Sequence, residues 1–132
     1  MFDSSLNHLL RMQLAPAQRG FESVLRADET FAEAHVNLAF VLRKQGDEFF
    51  GRALQHYNRA IELNSELGEA YMYRGVLFVQ MGDHDSARQD HARLLQLDRN
   101  LAAELQWVIE NGRERSPERF FGVVRTASVS GR

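Results

Sequence analysis

The chain has no cysteine among its 132 residues. Disulfide staples and thiolate metal centres are therefore excluded, and a reducing compartment suits it. It has no apolar run approaching the ~18 residues of a membrane span. Its opening residues, Met1-Phe2-Asp3-Ser4-Ser5, lack a basic stretch followed by an apolar one, so no signal peptide is expected and the default setting is cytoplasmic. A net charge of −2 gives no general attraction to phosphate backbones, which argues against nucleic acid as a partner. Chemical signatures are also missing. There is no His-Glu-x-x-His, no Gly-x-Ser-x-Gly, no phosphate-cradling glycine loop and no dinucleotide fingerprint. Among the five histidines, His84 and His91 lie two helical turns apart, a rise of about 10 Å, too far for one ion. No enzyme activity, metal or cofactor is expected.

What the chain does have is recurrence. Asn37-Leu38-Ala39 falls beside Tyr73-Arg74-Gly75, and Gln45-Gly46-Asp47 beside Met81-Gly82-Asp83, at an offset of about 36 residues. Beyond that turn the offset drops to about 34, pairing Ala53 with Ala87, Tyr57 with His91 and Ile61-Glu62-Leu63-Asn64 with Leu95-Gln96-Leu97-Asp98. A weaker earlier copy reads Ala17, Phe21, Leu25, Asp28. Two helical stretches per unit at this period predict a stacked helical array, which usually serves as a binding surface.

Apolar residues at three- and four-residue spacing place seven helices. The first is capped by Asp3 or Ser4 and runs to about Leu14, with Leu6, Leu9 and Leu10 on its face. The second starts around Pro16, whose missing N–H is not needed in a first turn, and reaches about Ala27. The others cover roughly residues 30–45, 50–63, 65–81, 84–97 and 100–111. Gly46, Gly82 and Gly112 stand at helix ends, where a left-handed residue is wanted, and Asp83 can cap the sixth helix. Connections of about two to five residues make neighbours antiparallel hairpins.

On these residues the chain resembles the tetratricopeptide repeat family over about residues 3–111. The central unit carries His35, Leu38, Ala39 and Leu42, then Ala53, Tyr57 and Ala60. The next carries Tyr71, Arg74, Gly75 and Phe78, then Ala87, His91 and Leu94. The resemblance implies an all-α, right-handed solenoid of about three hairpins (about residues 1–31, 32–67 and 68–101), closed by a capping helix over 100–111. Ala39 and Gly75, matched by Ala53 and Ala87, sit where helix axes come close. Three departures stand out. The closing proline is replaced by Glu29, Ser65 and Arg99. Two residues are inserted between Gly46 and Ala53, and His91 replaces an aromatic.

The family's first helices line a concave groove that holds a peptide. Carried over, that face presents Val36, Asn37, Phe40, Arg43 and Lys44, then Met72, Tyr73, Val76, Val79 and Gln80, then Trp107, with Glu33, Glu69, Ala103, Gln106 and Glu110 around them. A protein or peptide partner is thus implied, with Trp107 as the favoured anchor. For Phe40, Met72 and Val76 packing against an adjacent segment remains the alternative, and for Trp107 a capping role. The sub-type that grips a terminal carboxylate is rejected, since Glu69 and Tyr73 stand where its cations would be.

Residues 113–132 form a basic tail, five arginines against two glutamates. Its Phe120-Phe121-Gly122-Val123-Val124 segment is expected to cap the last helix, to fold into the chain's own groove, or to enter a neighbour's and build a homo-oligomer. Phe49-Phe50-Gly51 in the inserted turn echoes it and either tucks under the hairpin or offers a contact.

Overall fold

The computed structural model describes residues 13–115 together with Phe2, Ser4, Ser5 and His8. Six helices follow one another: α1 Leu14–Ala27, α2 Ala32–Lys44, α3 Phe50–Leu63, α4 Gly68–Gln80, α5 His84–Leu97 and α6 Arg99–Asn111. No strand occurs among the described residues. Consecutive helices pack as hairpins, and α2, α4 and α6 also lie side by side, so the even-numbered helices form one layer and the odd-numbered ones back it. This is the all-α repeat stack that the periodicity implies.

Each backing helix buries one narrow stripe at four- and three-residue spacing. The stripes are Ala17, Phe21 and Val24 on α1, Ala53, Tyr57 and Ala60 on α3, and Ala87, Asp90 and Leu94 on α5. The small residues stand where they were expected. Ala39, Ala53 and Ala87 are wholly buried. Gly75 lets α6 approach so closely that a Cβ there would lie 2.6 Å from Leu105 Cδ2. Phe49 and Phe50 are partly buried against the core, tucked under the hairpin.

The chain leaves each backing helix in the same way. Asp28, Asn64 and Asp98 are extended residues directly after α1, α3 and α5. The side-chain oxygen of each accepts from the backbone N–H two residues on: Thr30 at 3.0 Å, Glu66 at 3.1 Å and Asn100 at 3.0 Å. Each bond satisfies a backbone donor without a helix-ladder partner, in the turn at Thr30 and Glu66 and in the first turn of α6 at Asn100, and so orders the path into the next helix. Asp83 caps α5 as anticipated, accepting from the Ser86 N–H at 3.1 Å.

Several boundaries differ from the sequence reading. Gln13 is not helical and Leu14 opens α1, so the break falls before Pro16 rather than at it. Pro16 then occupies the third helical position, where an N–H still has no partner inside the helix. α4 begins only at Gly68. A single residue, Asp98, separates α5 from α6, a tighter link than expected. Gly46 does not take the left-handed helical conformation: its φ of 130° and ψ of 172° form an extended mirror-image geometry open to glycine almost alone. Its counterpart Gly82 has φ 81°. The two-residue insertion accounts for the difference. After Gly46 the chain makes a short 3-10 turn, Asp47–Phe49, before α3, whereas after Gly82 it passes directly to the Asp83 cap.

Phe2, Ser4, Ser5 and His8 are helical, and the Phe2 ring packs on Phe21 and Phe31, with centroids 5.7 and 4.8 Å apart. The expectations for Leu6, Leu9 and Leu10, and those for residues 116–132, lie outside the described residues. Among the described residues no helix is long and apolar enough to cross a membrane.

A candidate peptide groove and its polar rim

The even-numbered helices bring most of the anticipated groove residues together. Phe40 of α2 and Tyr73 of α4 meet edge to face, with ring centroids 6.4 Å apart. Val36 and Asn37 precede Phe40 on α2, and Met72 and Val76 flank Tyr73 on α4. All six are buried, with exposures of 0–2%. Asn37 is partnered, as a buried amide must be. Lys44 and Gln80, by contrast, are exposed at the C-terminal ends of α2 and α4, and Trp107 of α6 is half-buried.

One rim of this stripe is a charged cluster. The Arg43 guanidinium is fully enclosed, yet each of its three nitrogens has a partner. Nε donates to the Tyr57 hydroxyl at 3.4 Å, and Nη1 donates to Gln80 at 3.2 Å and to Glu114 Oε1 at 2.8 Å. Lys44 Nζ donates to the same Glu114 oxygen at 3.1 Å. Burial alone would raise the Glu114 carboxyl, but Arg43 and then Lys44 more than reverse this and hold it below the usual glutamate range. Burial pushes the Tyr57 phenol up, so it stays neutral and donor-capable. Arg43 and Lys44 also sit over the Phe40 ring, at 5.2 and 5.4 Å from its centroid. Trp107 has its own cations, Arg113 and Arg115, at 5.1 and 4.9 Å. Arg115 in turn reaches Glu104 at 3.4 Å.

The opposite rim is acidic. Glu33 and Glu69 lie in the first turns of α2 and α4. Burial, followed by the nearby charges of Asp98 and Glu33, pushes the Glu69 carboxyl up. The candidate stripe therefore runs from a cationic end to an anionic one, with an apolar aromatic middle.

Sequence reasoning missed three polar features. Glu114 belongs to the basic tail of the sequence reading, and nothing in its local sequence announces that it reaches back to α2. Between α2 and α3, His35 Nδ1 lies 2.9 Å from His56 Nδ1 and His35 Nε2 lies 2.8 Å from the Glu29 carbonyl. A carbonyl only accepts, so His35 carries its proton on Nε2 and receives one from His56 Nδ1. Burial depresses His35, and burial followed by His35 and Arg52 pushes His56 down to about 4. Between α4 and α5, Arg74 forms a forked pair with Asp90, its Nε at 3.0 Å and Nη2 at 2.6 Å. The repeat offsets align His56 with Asp90, a signal that could have drawn attention to both. His56 also lines a shallow depression with Glu22, Leu25, Arg26, Glu29, Leu38 and Arg52, away from the groove. Among the described residues no set of three or more histidines and carboxylates is placed to hold a metal.

Comparison with known proteins gives partial matches. The chain is 35% identical over 80 residues, 58% of its length, to UDP-N-acetylglucosamine--peptide N-acetylglucosaminyltransferase of Giardia intestinalis. It is 33% identical over 89 residues, 67% of its length, to peptidyl-prolyl cis-trans isomerase FKBP4 of Bos taurus. The matched regions are only 5% and 19% of those proteins. Both contain tetratricopeptide repeats, which fits the helical stack. No family model matches the chain.

Proposed function

We propose that the chain is a protein-interaction module that binds a short, mostly apolar peptide or a partner's helix along the concave side of α2, α4 and α6. The edge-to-face Phe40–Tyr73 pair, beside Asn37 and bracketed by Arg43 and Lys44, carries this reading. It gives the stripe an apolar centre with cationic and anionic ends, the anatomy of a recognition surface. Val36, Met72 and Val76 extend the apolar floor. Lys44, Gln80 and Trp107 supply the polar and aromatic contacts at its edges, and Trp107 is the natural anchor. The repeat-containing relatives support an interaction role in general terms. The activities named for them are not transferred, because the shared stretch is a small part of each. The reading assigns no catalysis and places the module in the cytoplasm.

The test is a peptide-display selection against the whole chain, followed by calorimetry with the selected peptide. Lys44→Ala and Trp107→Ala, both at partly exposed side chains, should each weaken binding ~tenfold. Arg88→Ala, on the exposed side of α5, should leave it unchanged. Equal effects at all three positions, or none at Lys44 and Trp107, would remove the groove from consideration.

A further inference from the structure

The two joints between backing helices follow one plan but are filled differently. The backbones of α3 and α5 do not approach each other closely; α4 packs on both, and its Arg74 fills the gap. The guanidinium reaches to either side. Nε and Nη2 donate to Asp90 of α5, and Nη1 donates to Asn58 of α3 at 3.0 Å. The backbones of α1 and α3 are likewise apart, with α2 packed on both. There the repeat offsets put Leu38 in the place of Arg74, Glu22 in that of Asn58 and His56 in that of Asp90. These three residues line the shallow depression already described. Acceptors stand on both flanking helices at each joint, and the first joint lacks the cation.

The depth of each group decides what the depression can hold. Arg26, Glu29 and Arg52 are exposed at its lip, where water screens them. Glu22 and His56 are half-buried, and Leu38 is 2% exposed. Glu22 meets Gln18 at 3.1 Å and Arg52 at 3.5 Å, both through Oε2, and its Oε1 takes no bond among the described residues. The Arg52 pair is long and half exposed, so it holds the carboxylate weakly. His56 gives its Nδ1 proton to His35, which leaves Nε2 as an acceptor, and burial keeps the ring neutral. The inner polar groups therefore accept from two helices.

We propose that this depression is a second binding site, away from the groove, that takes the guanidinium of an arginine carried by a protein partner. Glu22 of α1 and His56 of α3 accept its N–H groups, and Leu25 and Leu38 lie along its methylenes. A planar fork spans acceptors on two helices, as Arg74 does one joint along, whereas a compact ammonium does not. The site is independent of the groove reading and gives the module two faces for partners.

The test titrates N-acetyl-arginine methylamide into the isotope-enriched full-length chain. Amide signals of Glu22, Leu25 and His56 should shift and saturate, with a midpoint at about 1 mM. The citrulline counterpart, of the same shape without the charge, should bind about tenfold more weakly. Glu22→Gln should weaken the arginine probe about fivefold. Leu38→Arg with His56→Asp rebuilds the second joint inside the first, so the chain carries its own guanidinium there and saturation should be lost. If circular dichroism shows that this double variant does not fold, Glu22→Gln decides alone. Absent saturation at these signals, shifts confined to Glu33 and Glu69, equal response to citrulline, or full affinity in Glu22→Gln would each overturn the proposal. So would tighter binding of N-acetyl-glutamate methylamide, which would assign the depression to an anion held by Arg26 and Arg52. Any of these failures leaves the groove reading untouched, since that reading stands on the response to Lys44→Ala and Trp107→Ala.

Discussion

The contact between α4 and α6 allows a prediction in which the sign of an effect reverses. Gly75 sits inside α4, where replacing glycine by alanine is ordinarily favourable by about 1 kcal/mol. Here a Cβ would lie 2.6 Å from Leu105 Cδ2 and 2.8 Å from Cδ1, against a comfortable carbon–carbon separation of about 3.5–4.0 Å. The Leu105 side chain must therefore move by about 1 Å, and it is completely buried, with no room to swing. Overpacking of this kind costs about 1–3 kcal/mol. Gly75→Ala alone should thus destabilise the fold by about 1 kcal/mol once the helix gain is subtracted. Leu105→Ala removes the obstacle at a cost of about 2–5 kcal/mol of its own. In that background Gly75→Ala should become stabilising by about 1 kcal/mol, giving a coupling of about 2 kcal/mol between the two sites. Urea unfolding followed by circular dichroism measures all four proteins, provided the slope with denaturant stays constant. If Gly75→Ala has the same sign in both backgrounds, close approach is not what the glycine provides.

Two further perturbations test the polar joints between helices. Burial, followed by His35 and Arg52, pushes the His56 ring from the usual imidazole value of 6.5 down to about 4, so its contribution to stability is complete above about pH 6.5 and is lost as the pH falls toward 4. The full shift corresponds to about 3 kcal/mol, and partial exposure reduces the expectation to roughly 2 kcal/mol. His56→Gln, which can still donate to His35, should flatten the pH dependence of the urea midpoint between pH 6.5 and 4, and an unchanged slope would refute the assignment. At the next joint, Arg74→Leu leaves Asp90 buried without its forked partner and should destabilise by about 3 kcal/mol. Arg74→Leu with Asp90→Leu should recover most of that loss in thermal melts, and a double variant no better than the single would show that the pair does not act as a unit.

The fold was legible because its determinants repeat in kind. Alanine at 17, 53 and 87, and glycine or alanine at 39 and 75, mark helix contacts that tolerate only small side chains, and the structure buries each of them. Helix ends were less legible. Gly46 and Gly82 look equivalent, yet the insertion after Gly46 gives it a different backbone conformation, and one-dimensional alignment cannot see this. The residues named for the groove fall on α2, α4 and α6, but the near-complete burial of Val36, Asn37, Phe40, Met72, Tyr73 and Val76 was not legible. Glu114 is 71 residues from Arg43 in sequence, a separation no local pattern encodes.

The hidden regularities are those in which one physical task is done by different chemistry. His35 and Tyr71 occupy the same repeat position and do the same work. The His35 ring nitrogen donates to the Glu29 carbonyl at 2.8 Å, and the Tyr71 hydroxyl donates to the Ser65 carbonyl at 2.9 Å. Glu29 and Ser65 stand where the resembled repeat would carry its closing proline. The side chain six residues on thus ties down the carbonyl of a turn that lacks proline's rigidity. The neighbouring position repeats the lesson with opposite polarity: Leu38 beside His56 in one unit becomes Arg74 on Asp90 in the next. The change from leucine to arginine is tolerable only because the partner changed from histidine to aspartate at the same step. A search for identical residues discards both pairs as noise, whereas a search for compensating ones would retain them. At these two joints the helices are held less by identical side chains than by donors and acceptors that are satisfied in each.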